Sequence, residues 1–243
     1  MQTSISLQEW FGGIDIYVFD QLLKGRFAPG MRVLDAGCGS GRNLVYFFRS
    51  GYEVFGVDES EGAIAQTRQL AASLAPHLPA NNFRVEPVEG MSWESAVRLS
   101  TDYADYTERN GEPVTGNREQ HAAGSQRRID AGFDVVLSSA VLHFARDEGH
   151  WQGMVNEMWR VLKPGGIFFA RLASSIGVED QVRLIEGRRY HLPDGSDRFL
   201  VDEAMLQRVT ATLGGEFIEP IKTTVVAGMR AMTTWVVRKG NER

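Results

Sequence analysis

The chain has a single cysteine, Cys38, among 243 residues, so it cannot form an internal disulfide. That usage points to a reducing compartment, and a cytoplasmic location is expected. No run of about 18 apolar residues occurs, which argues against a membrane span. The N-terminus carries Glu9 and Asp15 among its apolar residues and lacks the basic region and apolar core of a secretory signal. Positive charge is also scarce: 26 Lys and Arg against 31 Asp and Glu leave a net charge of -5. That balance opposes general binding to nucleic-acid phosphates. Arg183, Arg188, Arg189 and Arg198 fall in one segment, but Glu179, Asp180, Glu186, Asp194 and Asp197 interleave with them. The segment therefore reads as a solvated face of mixed charge. The histidines, His77, His121, His143, His150 and His191, show no ligand spacing with the cysteine or with one another, so no metal site is expected. Nothing in the sequence fixes an oligomeric state.

Against these absences stands one dense stretch. Residues 33–43 read Val-Leu-Asp-Ala-Gly-Cys-Gly-Ser-Gly-Arg-Asn. Val33 and Leu34 suit a parallel strand covered on both faces, which ends at Asp35 and breaks into Gly37, Gly39 and Gly41. Alternating glycines let the backbone turn sharply and approach a ligand. A helix expected to begin near Arg42 turns its free N–H groups toward the crevice at the strand's carboxyl end, where open α/β sheets bind nucleotides. The dinucleotide fingerprint does not fit, because its third small residue falls on Arg42 or Leu44. A second apolar strand, residues 52–57, ends in Asp58 at the distance where a ribose-binding acid is expected. Cys38, between two glycines, suits a small buried side chain.

These residues resemble the class I S-adenosylmethionine-dependent methyltransferases, whose first motif is similar to residues 34–41. Asp58 matches the family's ribose acid. Residues 133–143 look like its fourth strand and following loop, and Arg160-Val-Leu-Lys-Pro-Gly-Gly166 resembles the turn before its fifth strand. The resemblance covers residues 15–173. It implies S-adenosylmethionine as methyl donor, held by Asp35, Gly37, Gly39, Gly41, Asp58 and Ser138. It also implies an acid near the adenine amine, for which Glu89 is the candidate and Glu86 the lesser one. Tyr17 and Trp10 precede the first strand, where the family often lays a helix over the donor's methionine end. For both, a packed core aromatic is the competing reading.

The remaining chain agrees with one α/β domain over residues 1–243. The expected architecture is a doubly wound, Rossmann-like sheet of seven strands, mostly parallel with an antiparallel last strand, and helices on both faces. Helical spacing marks residues 15–24, 43–49, 60–74 and a segment after His150. Further strands are expected at 83–88 and 167–172, with a closing antiparallel pair at 216–221 and 232–238. Two segments are individual. Residues 91–131 are rich in polar and charged types and read as a lid or mobile insertion. Residues 177–201 read as a hairpin around Asp194-Gly195 that leaves the sheet at its carboxyl edge, either as a substrate-side cover or as a structural feature. His143 follows the apolar strand into the crevice, and is either a general base or a packed wall of the pocket. A small-molecule acceptor is favoured because the acidic chain has two covers and no recognition domain. An RNA or protein methyltransferase would need a basic groove, and Ser138-Ser139-Ala140-Val141 replaces the nucleic-acid amine signature. A non-catalytic donor-binding regulator is the third reading.

Overall fold

A computed structural model describes residues 6–93 and 132–241. The central sheet begins with β1 (Arg32–Ala36), β2 (Glu53–Asp58), β3 (Phe83–Val85), β4 (Phe133–Ser139) and β5 (Leu162–Ser174). After β5 the chain forms a separate antiparallel sheet of β6 (Arg183–Glu186), β7 (Arg189–His191) and β8 (Asp197–Phe199). It returns through β9 (Gly215–Phe217), β10 (Lys222–Val226) and β11 (Arg230–Lys239). The order is β3-β2-β1-β4-β5-β11-β10, with β9 also pairing β11. The pairs among β1 to β5 are parallel, and β11 is antiparallel to β5, β10 and β9. Because β9 covers residues 237–239 of β11 and β10 covers 230–234, the two act as one interrupted edge strand. The sheet thus has the expected seven positions and an antiparallel last strand.

Helices α1 (Leu7–Phe11), α2 (Ile16–Leu23), α3 (Val45–Arg49), α4 (Glu61–Leu74), α5 (Glu148–Val161) and α6 (Glu203–Thr212) cover it. Alternate strand residues feed two cores. Val33, Val54, Val135, Leu137 and Phe169 pack with Val18, Phe47 and Ile64, while Leu34, Phe55, Val136 and Phe168 pack with Trp151, Met158 and Leu206. This two-sided burial explains why β1, β4 and β5 read as continuous apolar runs. Helix starts follow their caps: the side chains of Asp15, Ser60, Asp147 and Asp202 each accept a backbone N–H in the first turn, which satisfies a donor the helix leaves open.

Three expectations need correction. The helix after the glycines is short and starts at Val45, because turns closed by Gly41 N to Cys38 O and Leu44 N to Gly41 O continue the loop. Its dipole therefore contributes little to ligand binding. β3 stops at Val85, ahead of Pro87, which has no N–H for the ladder, and a 3₁₀ turn follows at Val88–Gly90. Residues 91–93 belong to the core rather than to an insertion: Met91 and Trp93 are buried, and the Trp93 ring packs edge-on against Phe55 and Phe133. Arg160 donates to Met91 O and Trp93 O at 2.9 and 2.7 Å. The rest of the expected lid lies outside the described residues.

Candidate functional site

The sheet reverses its winding between β1 and β4, and the crevice lies at their carboxyl ends. There the glycine loop is tied to β2: Gly37 N and Cys38 N both donate to Val57 O at 2.9 Å. Gly39 N donates to Asp58 Oδ2 at 2.9 Å, and Ser60 N donates to Asp58 Oδ1 at 3.0 Å. Two sequence motifs are thereby joined by one carboxylate, which keeps lone pairs for further donors. Thr67 Oγ1 on α4 donates to Gly39 O at 2.8 Å and fixes the loop from the other side.

The three glycines differ in what surrounds them. A Cβ at Gly37 would lie 2.4 Å from Val141 Cγ2, so its absence lets the β4 loop close on β1. Gly41 faces Thr67 and Leu70 of α4. Only Gly39, at φ +54, opens on empty space, with nothing within 4 Å of the missing Cβ. Cys38 is buried against Gly56, and burial pushes its thiol well above the usual range.

Asp35 is 1% exposed, and neither carboxylate oxygen has a donor in hydrogen-bonding geometry. Its pKa is pushed up to about 7, chiefly by burial, with Asp58 and Asp15 adding to the rise while Arg42 and the nearby Asn43 amide oppose it. A buried acid without partners fits a cationic ligand group. Beside it Asp15, the cap of α2, accepts from Arg171 and Ser139 Oγ at 2.9 Å each through Oδ2. Asp15 N donates to Asn43 Oδ1 at 2.9 Å. The Arg171 guanidinium lies 5.2 Å from the Tyr17 ring centre, and the Tyr17 hydroxyl is bonded to Thr224 Oγ1.

Ser138 does not share this setting: its Oγ is fully buried without a partner, and its neighbour Ser139 is the one that faces Asp15 and Arg42. A role for Ser138 in holding the donor is therefore a backbone role. Glu89 pairs with His150, Oε1 to Nε2 at 3.0 Å. Because His150 Nδ1 accepts from Arg146 N at 3.1 Å, the ring proton is assigned to Nε2. Trp10 lies under Arg49, 5.9 Å from the guanidinium.

A cavity of about 250 Å³ adjoins the crevice. Ala140 and His143 bound it from the β4 side, Arg171 and Ala173 from β5, Arg198 from β8 and Arg230 from β11. His143 is 7% exposed and its Nδ1 has no partner. Its pKa is lowered to about 4 by burial first and then by Arg198, Arg171 and Arg230, so the ring is neutral at pH 7. The hairpin expected at 177–201 is present with a third strand: Gly195, at φ +83, donates to Leu192 O, and Leu192 N donates to Ser196 O at 2.8 Å. Of the arginines read as a solvated mixed-charge face, Arg183 is exposed, Arg188 is partly buried and pairs with Asp202 at 2.9 Å, and Arg198 turns to the cavity. The sequence reading also missed Asp15, Arg171 and Arg230. For Arg171 a signal existed, since a charge inside the apolar run of a central strand needs a buried partner or a site. Among the described residues no group of three His, Cys, Asp or Glu side chains could hold a metal.

A doubly wound sheet with a glycine loop and a following acid at its switch point, closed by an antiparallel last strand beside β5, is the Rossmann-like methyltransferase fold. A family profile described as "Methyltransferase domain" matches residues 34–170, and the chain belongs to that family. S-adenosylmethionine is the family's methyl donor. An uncharacterized methyltransferase of Synechocystis sp. is 28% identical over 141 residues, 58% of this chain. The match spans 46% of that relative, about half its length. A Methanosarcina mazei S-adenosylmethionine-dependent methyltransferase superposes with a TM-score of 0.63 at 18% identity, covering 91% of this chain and 98% of that one. A Burkholderia thailandensis 1,6-didemethyltoxoflavin-N1-methyltransferase, solved with its substrate and S-adenosylhomocysteine, superposes at 0.60 with 18% identity, covering 95% and 80%. At these identities the likeness is one of fold.

Proposed function

We propose that the protein transfers a methyl group from S-adenosylmethionine to a small-molecule acceptor. The observation that carries this reading is the junction of Gly39 N and Asp58 at 2.9 Å, below a space that a side chain at Gly39 would fill. The donor supplies a methyl on a sulfonium, already activated for in-line displacement with the electron pair left on sulfur. In this assignment Asp58 accepts both ribose hydroxyls, Asp35 faces the donor's cationic end, Glu89 lies toward the adenine amine, and Tyr17 lies beside the methionine portion. Ala140 and His143 line the cavity on its β4 side; the cavity takes the acceptor, and the β6-β7-β8 sheet serves as its cover. A cavity of about 250 Å³ suits a small molecule rather than a polymer. No helix among the described residues is long and apolar enough to cross a membrane, and a buried lone thiol suits the cytoplasmic location we propose.

Positioning and water exclusion carry most of the rate in such a transfer, since a near-attack geometry is worth roughly 7–11 kcal/mol in favourable cases. His143, with its pKa lowered to about 4, is a weak proton acceptor, and its ring serves as a wall above Ala140. His143→Gln is therefore expected to slow single turnover by less than about 10-fold, against the 10²- to 10⁴-fold of a lost general base. Calorimetric titration with S-adenosylmethionine, followed by a radiolabelled methyl-transfer assay on small-molecule fractions, tests the function. Donor binding with transfer supports it, whereas binding without transfer to any fraction would favour a regulatory protein.

A further inference from the structure

The acceptor cavity carries an unusual charge pattern for a chain of net charge -5. Three guanidinium groups, Arg171, Arg198 and Arg230, reach it, and among the described residues Asp194 is the one carboxylate on its wall. Arg171 is neutralised by the buried Asp15 at 2.9 Å. Arg230 has only a loose pairing, 3.9 Å from Asp194 Oδ2, beyond hydrogen-bonding length. Asp194 is itself occupied by its own turn, accepting from Ser196 N at 3.0 Å and Ser196 Oγ at 2.6 Å. Those hydrogen bonds, ahead of Arg230 and Arg198, hold its carboxyl below the usual range. Arg198 has no carboxylate within ion-pair distance among the described residues. Its guanidinium is instead braced, donating to Asp197 O at 2.7 Å and lying 4.8 Å from the centre of the exposed Phe144 ring.

Among the described residues, Arg171, Arg198 and Arg230 against Asp15 and Asp194 leave about one positive charge unbalanced at the cavity. Apart from His143, the remaining walls are the apolar Ala140, Ala173, Leu192 and Met232 and the hydroxyl residue Ser196, whose Oγ is already bonded to Asp194. His143, nine-tenths buried with Nδ1 unpartnered, closes the end nearest β4. A preorganised guanidinium fork without its own anion, beside a second one loosely held, is the arrangement that recognises a carboxylate by paired hydrogen bonds. A doubly charged phosphate would exceed the charge available.

We propose that the acceptor is a small molecule with an apolar body and a single carboxylate, and that Arg198 and Arg230 hold that carboxylate while the methylated atom faces Ala140 and His143. This rests on the methyltransferase reading of the crevice. The carboxylate is the recognition group. In the transfer, the acceptor's nucleophilic atom bonds to the methyl carbon as the carbon–sulfur bond breaks. The displaced pair stays on sulfur, and a proton lost from the acceptor passes to water.

The test is calorimetry on the full chain in two stages. S-adenosylhomocysteine is titrated first. The resulting complex is then titrated with matched pairs: benzoate against benzamide, phenylacetate against phenylacetamide, and cinnamate against cinnamamide. At least one carboxylate is expected to bind about 10-fold more tightly than its amide, in keeping with one charge-assisted hydrogen-bond pair. Arg198→Gln should reduce that ratio to near one, and Arg198→Lys, which keeps charge without the fork, should restore part of it. No carboxylate preference in any pair, or a preference unchanged in folded Arg198→Gln and Arg230→Gln variants, overturns the proposal while leaving the donor reading intact. Failure of S-adenosylhomocysteine to bind overturns both.

Discussion

Two acids at the crevice are held in opposite ways, and the contrast assigns them different work. Asp58 is supplied with backbone donors from Gly39 and Ser60, which keep it in place before any ligand arrives. Removing it deletes two expected ribose hydrogen bonds at roughly 1.5–3 kcal/mol each, with partial replacement by water. Asp58→Ala is therefore expected to weaken donor binding by about 2–4 kcal/mol in calorimetry, and unchanged affinity in a folded variant would reassign the ribose partner. Asp35 has no donors and a pKa pushed up to about 7 by burial. Raised above its unfolded value, this group binds a proton more readily in the folded state, so it costs stability as pH rises from about 4 through 7. A cationic donor group beside it favours the ionised form. Binding near pH 7 should therefore release a fraction of a proton, read from heats in buffers of different ionisation enthalpy. The release should vanish in Asp35→Asn and near pH 9; equal release in wild type and Asp35→Asn would remove the acid from the site.

At the level of elements, the glycine turn and the three-stranded cover show what a sequence reveals and what it hides. The turn was legible from the alternation of Gly37, Gly39 and Gly41, which suits the open, left-handed backbone at Gly39, whereas the close approach of Gly37 to Val141 is a contact distant in sequence. Gly39→Val combines strain at φ +54 with a side chain in the crevice. It should abolish donor binding while circular dichroism stays near wild type, and retained binding would contradict the assignment. Element types and order were readable from apolar periodicity, since β1, β4 and β5 are buried on both faces. Boundaries were not, because they rest on contacts distant in sequence. Trp93 looks like the start of a polar insertion until it meets Phe55 and Phe133. Ser138 and Ser139 are indistinguishable as letters, and only the strand's pleat decides which one faces Asp15. Arg198 looked like surface charge because its apolar surroundings, Leu192 and Met232, lie on other strands.

Across the whole molecule, the doubly wound sheet brings two compartments to one edge. The crevice proposed for the donor is built from β1, β2 and the loop between them, and its proposed anchors Asp35, Gly39, Asp58 and Glu89 fall within the segment matched by the family profile, with Tyr17 outside it. The cavity proposed for the acceptor draws on β5, β8, β11 and the loop after β4, and Arg171, Arg198 and Arg230 all lie beyond residue 170. This division explains why the donor half was recognisable in sequence and the acceptor half was individual. It also fixes the central claim, that one ligand bridges the two compartments with its sulfur at their boundary. A crystal structure with S-adenosylhomocysteine tests it most directly. The ribose hydroxyls are expected on Asp58, the adenosine above Gly39, and the sulfur opening on the cavity beside Ala140 and His143. A ligand bound elsewhere, or one whose sulfur faces away from that cavity, would contradict it.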